Sequence, residues 1–445
     1  MSRALLQAWQ KTLRRHGDAR AAVESASGRS LTFWELDAAA DAWVAQHATD
    51  RAALAGRAVV FAAPNGVAWL EIFLGLLKVR AVAVPLDPGE PAAAQQRAAA
   101  RLRAGFWWNG ATLQPQPGGR RYRDPALCLA KLTSGSTGQP RALVFTDAQM
   151  LADGRQITAT MGIKARDLNY ALIPLGHSYG LGNLTIPLFA HGVPLAVGAA
   201  ALPQAIADDF ARWQPTVFPG VPTMWRALVS SDVRLESLRL GISAGAPLPP
   251  EVARTFEARF GRRLHNLYGS SETGGISYDR TGRATLEGGV GSALRGVKLA
   301  ALAGQRLRVS SAAVVTHGNA RQCGRHGAWV MPDRVELDAR GGVRLLGRRG
   351  TTVKVAGRRV NLLEVAERLR RLSGVRDAWV GVRPGPEPAL AAVVATERTA
   401  VELRAALLPI TAAWLIPKKL VVVAVLPVTA RGKTDARALQ ALVSA

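Results

Sequence analysis

Apolar and polar positions alternate along the first part of the chain in blocks that predict strands and helices in turn. A buried strand is predicted at 58–64, an amphipathic helix at 67–79 and a second strand at 81–88. This order predicts a parallel βαβ unit, because parallel strands need a long crossover connection. Thr32 and Glu35 form a capping-box pattern, which predicts that a helix begins there.

The alternation of strands and helices continues downstream and predicts an α/β fold. The segments are predicted strands at 127–132, 142–146, 169–175, 195–201, 216–220 and 239–245, and predicted helices at 147–161, 203–213, 222–231 and 249–260. The stretch at 97–125 is rich in arginine and proline, which predicts a looser connection between the regular elements.

After a glycine-rich break at 341–350, the pattern changes to a smaller unit of mixed strands and helices. Its predicted elements are a strand and turn at 352–360, a helix at 361–372, strands at 378–382 and 390–395, a final helix, and a strand at 420–427. The apolar residues predicted to share one side of the first helix are Leu362, Leu363, Val365, Leu369 and Leu372. We therefore predict domains at 1–346 and 347–445, with a hinge near 347–350.

The longest run without a charged side chain extends over 168–207 and is long enough to span a bilayer. Prolines, glycines, histidines and an asparagine interrupt it, so it predicts short buried strands and turns and a wall of an apolar pocket. The first 20 residues have scattered charges and no apolar core, so no secretory signal is expected. Cys128 and Cys323 are far apart, which predicts neither a disulfide framework nor a zinc cluster and favours the reducing cytoplasm.

The 445 residues include 57 basic and 32 acidic side chains, and only nine of the basic residues are lysine. The resulting net charge of +25 is compatible with nucleic acid, an anionic membrane surface or an anionic small ligand as partner. An arginine-rich coding bias with a solvated basic surface explains it equally well. The 48% of apolar residues exclude wholesale disorder.

The segment TSGSTG at 133–138, which directly follows a predicted strand, is the strongest candidate for chemistry. Its glycines allow backbone N–H groups to turn inward and its hydroxyls add donors, which together can hold a phosphate. Six small residues could equally form an ordinary turn. The segment is not a Walker A loop, because the pattern GxxxxGK[ST] does not occur.

Further motifs follow this loop: PLGHSYGLG at 174–182, ISAGAPLPPEV at 242–252, NLYGSSET at 266–273, WVMPDRVEL at 329–337, LLGRRGTTVKVAGRRVNLLEVAE at 345–367 and LPVTARGKTDARAL at 426–439. In their order and content they resemble the motifs of the AMP-forming adenylating superfamily, which includes acyl- and aryl-CoA synthetases and stand-alone adenylation enzymes. The resemblance covers essentially the whole chain. It implies a large N-terminal domain of parallel-sheet α/β subdomains with a β-barrel-like part, followed by a small mobile α+β domain.

The resemblance also implies a role for individual residues in binding ATP. The residues that would contact its β- and γ-phosphates are Thr133, Ser134, Gly135, Ser136, Thr137 and Gly138. Arg141 stands where the family has a loop lysine and keeps the positive charge. The residues expected around the nucleoside are Gly245, Ala246, Pro247, Asn266, Tyr268, Gly269, Ser271, Asp333 and Arg348, with Tyr268 stacked on adenine. Met331 and Pro332 replace the two residues that usually precede the aspartate.

The catalytic residues implied by the resemblance are Lys433, Glu272, His177 and Arg141. Glu272 would hold Mg²⁺, for which one hard carboxylate is sufficient when phosphate oxygens complete the shell. The acyl pocket would be formed by His177, Ser178, Gly180, Gly220 and Val221. Lys354 and Gly357 would lie in the loop that meets the thiol acceptor, and Gly350 occupies the hinge position.

These assignments predict an ATP- and Mg²⁺-dependent ligase that adenylates a carboxylic acid and transfers the acyl group to a thiol. The pocket segments are uncharged, which predicts an aromatic or aliphatic acid rather than an amino acid. No carrier domain is recognisable, so the expected acceptor is CoA or the phosphopantetheine of a separate acidic carrier protein. Two alternatives remain at this point: a basic nucleic-acid-binding protein and a catalytically weak protein, each on a degenerate adenylation fold.

The basic residues do not alternate with aromatic ones, and no nucleic-acid-binding motif occurs, so nucleic acid is not the expected partner. Between Arg340 and Arg376 there are eleven basic and two acidic residues. This segment includes the expected hinge and acceptor loop. We therefore interpret part of the positive charge as a docking face for an anionic acceptor.

Overall fold

The protein is described by a computed structural model of residues 4–48, 50–90, 92–133, 141–318, 327–348, 352–355, 358–383, 389–411, 415–429 and 434–444. Its helices are α1 (Ala4–His16), α2 (Phe33–His47), α3 (Arg51–Leu54), α4 (Val67–Lys78), α5 (Ala92–Leu102), α6 (Asp147–Met161), α7 (Ser178–Gly180), α8 (Ile186–His191), α9 (Pro203–Trp213), α10 (Pro222–Val229), α11 (Pro250–Phe260), α12 (Arg283–Leu286), α13 (Leu362–Arg370), α14 (Ala400–Leu407) and α15 (Ala436–Ser444). A π-helical stretch, Leu181–Thr185, joins α7 to α8.

The strands are β1 (Arg20–Glu24), β2 (Ser30–Thr32), β3 (Ala58–Ala62), β4 (Val82–Leu86), β5 (Phe106–Trp108), β6 (Leu113–Pro115), β7 (Leu127–Thr133), β8 (Arg141–Thr146), β9 (Asn169–Ala171), β10 (Leu195–Val197), β11 (Val217–Gly220), β12 (Leu240–Ser243), β13 (Leu264–Ser270), β14 (Gly274–Tyr278), β15 (Ser292–Ala293), β16 (Lys298–Leu302), β17 (Arg306–Ser310), β18 (His317–Gly318), β19 (Ala328–Leu337), β20 (Val343–Arg348), β21 (Thr352–Val355), β22 (Arg358–Asn361), β23 (Val375–Arg383), β24 (Ala389–Thr396) and β25 (Lys419–Val423).

Two large sheets with parallel centres form the main part of the fold. The first has nine strands in the order β15-β14-β13-β12-β11-β9-β10-β1-β2, and its six neighbouring strands from β13 to β1 are parallel. The second has seven strands in the order β18-β8-β7-β4-β3-β5-β6, in which β7, β4, β3 and β5 are parallel. This architecture confirms the predicted α/β fold and its parallel βαβ unit.

Smaller sheets account for the remaining strands. Strands β16, β17, β19 and β20 form a four-stranded sheet in the order β16-β17-β19-β20, which is a β-rich part of the fold. Strands β21 and β22 form an antiparallel pair. Strand β24 is antiparallel to β23 and parallel to β25, and helices α13, α14 and α15 accompany this three-stranded sheet.

Local sequence signals explain where several helices begin and end. The Thr32 side chain accepts a hydrogen bond from the backbone N–H of Glu35, whose carboxylate accepts one from the N–H of Thr32, so the predicted capping box is confirmed at α2. The same arrangement begins α6 and α14. Helix α6 ends at Gly162, which has the left-handed conformation that favours glycine.

The backbone divides into two compact units. The first contains Met1–Ala303, Leu307–Met331 and Glu336–Arg344, and the second contains Leu345–Ala445 together with Gly304–Arg306 and Pro332–Val335. An aromatic cluster that includes Phe218, Trp225 and Phe256 forms part of the core of the first unit. The assignment of an N-terminal AMP-binding domain to 1–346 and a C-terminal α+β domain to 347–445, with a hinge near 347–350, stays a prediction.

Three details of the sequence-based prediction are wrong. The stretch at 97–125 contains the end of α5 and strands β5 and β6 instead of a loose connection. The run at 168–207 contains a helical segment from Ser178 to His191, where turns and strands were predicted. Leu363 is 40% exposed and does not share the buried side of α13 with Val365 and Leu369.

Candidate active site

The parallel strands of the nine-stranded sheet reverse their order between β9 and β11. The chain leaves β9 for β10 on one side and then returns to β11 on the other side of β9. Such a switch point opens a crevice at the carboxyl ends of the strands, where ligands bind in α/β folds. The loops that follow β9, β11, β12 and β13 carry His177, Val221, Gly245 and Glu272, so these four predicted site residues follow strands that end at one edge.

The turn after β13 fixes the backbone of Glu272 and leaves its carboxylate available. The Ser270 hydroxyl accepts hydrogen bonds of 3.2 Å from the N–H groups of Glu272 and Thr273. The Val315 N–H donates to the Glu272 carbonyl oxygen at 2.8 Å. Across the described chain, no hydrogen bond or ion pair engages the half-buried Glu272 carboxylate. A hard oxygen ligand in this state fits Mg²⁺.

The described residues contain no cluster of three or more His, Cys, Asp or Glu side chains that could hold a metal ion by themselves. A cation at Glu272 would therefore need oxygen ligands from another source. Mg²⁺ commonly takes one or two protein carboxylates and completes its shell with water and substrate phosphates. The single available carboxylate fits this mode of binding.

The predicted adenine-binding turn is an exposed edge of the same crevice. Gly245 has φ +89°, which glycine tolerates and which makes the turn possible directly after β12. Gly245, Ala246 and Pro247 are all exposed, and the Ala244 N–H donates to the carbonyl oxygen of Gly220 at 3.3 Å. The turn is thereby attached to the end of β11.

Strand β13 and the turn after it supply four more residues predicted near the nucleotide. Tyr268 is buried, Gly269 is exposed and Ser271 is half-buried. The buried Asn266 has a structural contact, because its amide donates to the carbonyl oxygen of Gly289 at 2.9 Å. The nucleotide-binding roles of these four residues stay predictions.

The predicted acyl pocket is bordered by the helical segment Ser178–His191. The Tyr179 hydroxyl lies 3.2 Å from the carbonyl oxygen of Gly220 and 3.1 Å from that of Ile242, so it links this segment to the ends of β11 and β12. Burial raises the pKa of Tyr179 well above its usual value, with a smaller contribution from Tyr278, so the hydroxyl keeps its proton. Gly180 packs directly against the carbonyl group of Pro174, where a Cβ atom would collide.

The π-helical stretch has a physical cause in the sequence. Pro187 has no N–H to donate to the carbonyl group of Asn183, and the amide of the buried Asn169 donates to that carbonyl at 3.0 Å instead. The Ile186 N–H bonds back to Leu181, five residues earlier. Such π-helical turns are frequent at functional sites.

His177 lies at the junction of the two large sheets. Its Nε2 atom is 3.8 Å from Oδ2 of Asp87, a residue that directly follows β4 in the seven-stranded sheet. Asp87 is only 6% exposed, and its Oδ1 accepts a hydrogen bond of 2.9 Å from the Gly89 N–H. This carboxylate was not among the predicted site residues, although a charged residue near the end of the strand predicted at 81–88 was a signal for it.

The predicted phosphate loop joins β7 to β8, which pair as an antiparallel hairpin. Lys131 is opposite Leu143 and Thr133 is opposite Arg141 in the backbone register. Residues Ser134, Gly135, Ser136, Thr137 and Gly138 lie outside the described residues.

Two buried charged residues that the sequence did not single out are Lys131, in this hairpin, and Asp153, in α6. Burial lowers the pKa of Lys131 to about 8, while the negative charges of Asp153 and Glu272, and to a lesser degree Cys128, act to raise it. Burial raises the pKa of Asp153, against the opposing effects of a hydrogen bond from Gly275 and the charge of Lys131. The signals in the sequence were a lysine within the apolar strand β7 and an aspartate within α6.

Of the remaining predicted site residues, three lie in described strands and three lie outside the described residues. Arg348 is the last residue of β20, Lys354 lies in β21 and Asp333 lies in β19. Lys433, Gly350 and Gly357 are outside the described residues. The predicted roles of these six residues stay predictions. Among the described helices, none is both long enough and apolar enough to cross a membrane.

The chain is similar in sequence to one family of enzymes and to several of its members. A family model described as "AMP-binding enzyme" matches residues 9–107 and 111–311. The chain is 34% identical over 157 residues to a benzoate–CoA ligase of Thauera aromatica, an alignment that covers 33% of this chain and 29% of that protein. It is 27% identical over 283 residues to a feruloyl-CoA synthase of Amycolatopsis sp., covering 56% of this chain and 57% of that protein. These alignments span between about a third and a little over half of the relatives' own length.

Solved structures match along the whole chain and share its fold. The ATP-bound MatB of Rhodopseudomonas palustris superposes with a TM-score of 0.84 at 20% identity, covering 100% of this chain and 99% of that one. The anthranilate CoA ligase AuaEII, in complex with anthranoyl-AMP, gives a TM-score of 0.83 at 20% identity, with coverage of 99% and 97%. At this identity the likeness concerns the fold alone.

Proposed function

The chain belongs to the AMP-binding enzyme family, and from that premise we propose that it is an ATP-dependent, AMP-forming acid–thiol ligase. The observation that carries the proposal is the available carboxylate of Glu272 at the carboxyl edge of the sheet that also presents the glycine turn at Gly245. Curated relatives in the same family carry names of CoA ligases for aromatic acids, including benzoate and anthranilate.

The proposed reaction has two steps. A carboxylate oxygen of the substrate attacks the α-phosphorus of ATP, which forms an acyl-adenylate and releases pyrophosphate. The thiol then loses its proton, and its sulfur attacks the acyl carbon. The bond between that carbon and the phosphate oxygen breaks, so that a thioester and AMP are the products.

The first step brings two anions together and therefore requires positive charge between them. We assign this role to Arg141 and Lys433, which match the positions of basic residues in the family, and the phosphate contacts to the loop at 133–138. Mg²⁺ held by Glu272 would supply additional charge neutralisation on the phosphate oxygens. Each such contact is typically worth about 10²–10³ in rate, or about 2.7–4 kcal/mol.

The proposed substrate is an aromatic or aliphatic carboxylic acid. The helical segment Ser178–His191 is almost entirely buried and has no acidic residue that could hold an α-amino group. Asp87 approaches His177, but one of its oxygens accepts from Gly89 and the other faces the imidazole. This carboxylate is therefore occupied by the protein itself.

The proposed acceptor is CoA or the phosphopantetheine of a separate acidic carrier protein. The basic segment between Arg340 and Arg376 provides a complementary charge for either one. We also propose that the enzyme works in the reducing cytoplasm, because its two cysteines are far apart in the sequence and predict no disulfide framework.

A pyrophosphate exchange assay over a panel of acids tests this function. Purified protein is incubated with ATP, Mg²⁺ and labelled pyrophosphate, together with benzoate, hydroxybenzoates, hydroxycinnamates, malonate, short fatty acids or amino acids. We expect exchange with one of the aromatic or aliphatic acids. Exchange with amino acids only would contradict the substrate class, and no exchange with any acid would contradict the ligase function.

The acceptor is determined with the acid that gives the fastest exchange. CoA and a pantetheinylated carrier protein are offered separately, and the acyl thioester is measured by mass spectrometry. We expect one of the two to be acylated at least tenfold faster than the other. Release of free acyl-adenylate or free acid with both acceptors would contradict thioester formation.

A further inference from the structure

The loop between β9 and α7 is attached to the carboxyl ends of two strands of the seven-stranded sheet. The side-chain amide of Asn65, which follows β3, donates to the carbonyl oxygen of Ile173 at 2.9 Å, and its oxygen accepts from the Leu175 N–H at 3.0 Å. A Cβ atom at Gly176 would lie only 2.6 Å from the Cβ atom of Pro85 in β4. The backbone of this loop is therefore held in place from the neighbouring strands β3 and β4.

The side chain of His177 lies at the end of this loop and meets a buried carboxylate. Its Nε2 atom is 3.8 Å from Oδ2 of Asp87, and the two side chains are 29% and 7% exposed. The other oxygen of Asp87 accepts a hydrogen bond of 2.9 Å from the Gly89 N–H. Among the described residues, no other cation lies within ion-pair distance of this carboxylate. A buried carboxylate is costly unless donors or positive charge compensate it, so the imidazole is the partner that Oδ2 requires.

The fixed loop and the carboxylate together leave the imidazole little freedom. Because the backbone is held, the ring changes its position only by rotation about its side-chain bonds. A separation of 3.8 Å suits an ion pair with the protonated imidazole and becomes a hydrogen bond after a small rotation of the ring. Contacts of this kind often shorten when substrate binds. Asp87 is therefore placed to select one orientation of His177, as carboxylates do for histidines in many enzyme sites.

We propose that Asp87 is a positioning residue, which holds the imidazole of His177 in the orientation that binds the carboxylic acid in the predicted acyl pocket. This inference rests on the proposed function and on the predicted place of His177 in that pocket. It adds a group from the seven-stranded sheet to a pocket whose predicted residues all lie in or after strands of the nine-stranded sheet.

The competing explanation is that Asp87 only stabilises its own turn through Gly89. Asp87→Asn keeps an oxygen for the Gly89 N–H and removes the charge that faces the imidazole. If Asp87 acts through His177, this substitution loses its effect once the imidazole is absent. A carboxylate that only stabilises its turn has the same effect with and without the imidazole.

The chain contains a matched control for this contact. Oδ1 of Asp124 accepts a hydrogen bond of 2.9 Å from the Ala126 N–H, and its Oδ2 lies 3.8 Å from Nε2 of His317. These contacts repeat those of Asp87, but the two side chains are 40% and 44% exposed and Asp124 precedes β7. Exposed charge pairs contribute little, so Asp124→Asn should leave the KM for the acid within about twofold of wild type.

The test measures the KM for the preferred acid and for ATP in pyrophosphate exchange. We expect the KM for the acid to rise roughly three- to tenfold in Asp87→Asn, the effect of one weakened hydrogen bond, while the KM for ATP stays within about twofold. In a His177→Ala background, Asp87→Asn should change the KM for the acid by less than about twofold. Additive effects of the two substitutions, an equal rise of both KM values, or an equal effect of Asp124→Asn overturns the inference.

The imidazole itself is observed by NMR of protein labelled at the histidine ring nitrogens, with the His177 signal assigned from His177→Ala. This signal should move in Asp87→Asn and stay in Asp124→Asn, and an unmoved signal in folded Asp87→Asn overturns the inference. Urea unfolding shows which variants fold. Asp87→Ser, whose hydroxyl can accept from the Gly89 N–H, takes the place of an unfolded Asp87→Asn. No exchange by the wild type with any acid overturns the proposed function, whereas the NMR comparison still tests the contact between Asp87 and His177.

Discussion

Glu272 lies in a short turn that leaves its carboxylate available for a ligand. Its backbone is held by Ser270 and Val315, while its carboxylate has no partner among the described side chains. A carboxylate serving only a structural role would be expected to have such a partner when half-buried. The available oxygen atoms are therefore the central feature of the candidate site at the level of single residues.

Replacing Glu272 by glutamine should reduce acid-dependent pyrophosphate exchange by about 10²–10³-fold, because the neutral amide is a poorer ligand for a hard cation. The free energy of unfolding should fall only modestly, because no hydrogen bond or ion pair is lost and only the longer-range effect of this charge on the buried Lys131 is removed. Glu251→Gln, on the exposed surface of α11, is the control and should keep full activity. An active Glu272→Gln enzyme, with less than about a threefold loss, would contradict the assignment.

The pKa of Lys131 gives a prediction for stability against pH. Its value of about 8 in the folded protein is below the usual 10.5, so the unfolded chain binds more protons between these values. Stability from this group therefore increases as the pH rises. Relative to Lys131→Met, the wild type should gain about 2 kcal/mol in free energy of unfolding between about pH 7 and about pH 9.5.

Urea unfolding of the two proteins at both pH values provides this measurement. Tyrosines and other lysines titrate in the same range, and the comparison with Lys131→Met removes their contribution. A constant difference between the two proteins across this range would show that Lys131 has an ordinary pKa and is solvated.

At the scale of residues, the sequence predicted roles only for residues that belong to recognisable motifs, such as Glu272, His177 and Gly245, and these roles stay predictions. It did not single out Asp87, which follows β4, Lys131 in β7 or Asp153 in α6. Each of these is an ordinary charged residue in the sequence. Its burial and its neighbours depend on how separate elements pack, which the local pattern does not contain.

At the scale of elements, strongly periodic segments were predictable and glycine-rich apolar ones were not. Helix α6 begins and ends at the predicted residues, because a capping box precedes it and Gly162 follows it. The segment Ser178–His191 contains glycines and Pro187, which normally oppose a helix. Here the buried amide of Asn169 replaces the missing backbone donor, a long-range contact that the sequence pattern cannot indicate.

Substitution of Tyr179 tests whether the helical segment Ser178–His191 borders the acyl pocket. Tyr179→Phe removes the hydroxyl near the carbonyl groups of Gly220 and Ile242, which should lower the free energy of unfolding by about 1–2 kcal/mol. Because the segment then loses its tie to β11 and β12, the KM for the acid should rise more than the KM for ATP.

Steady-state kinetics with each substrate varied in turn provides the comparison. Tyr122→Phe, at a half-buried tyrosine that precedes β7, is the control and should leave both KM values unchanged. An equal rise of both KM values in Tyr179→Phe would indicate a general loss of stability and contradict a specific role in the acyl pocket.

At the scale of the whole molecule, the chain divides into two compact units, and a strongly basic segment spans the point where the second unit begins. The segment between Arg340 and Arg376 carries eleven basic and two acidic residues. The family of the chain favours a small anionic ligand or an anionic acceptor as the reason for this charge over nucleic acid. The change in pattern at 341–350 led to the predicted division at 346/347, which stays a prediction.

Substitution of Lys433 tests whether this residue of the second unit takes part in forming the acyl-adenylate. Lys433→Ala should slow acid-dependent pyrophosphate exchange by about 10²–10³-fold, because a positive charge on the reacting phosphate is lost. Thioester formation from chemically prepared acyl-adenylate should continue at a rate close to that of wild type. The control is Lys418→Ala, at a lysine directly before β25 in the second unit. Unchanged exchange in Lys433→Ala would contradict the assigned role.

The central claim is that the acid is activated as an acyl-adenylate, and transfer of an oxygen isotope tests it most directly. The preferred acid, labelled in its carboxylate with a heavy oxygen isotope, is incubated with the protein, ATP and the accepted thiol. The released nucleotide is analysed by mass spectrometry. We predict AMP that carries one heavy oxygen atom, because the carboxylate oxygen stays on the phosphate when the thiol attacks the acyl carbon. ADP, or AMP without label, would contradict the account.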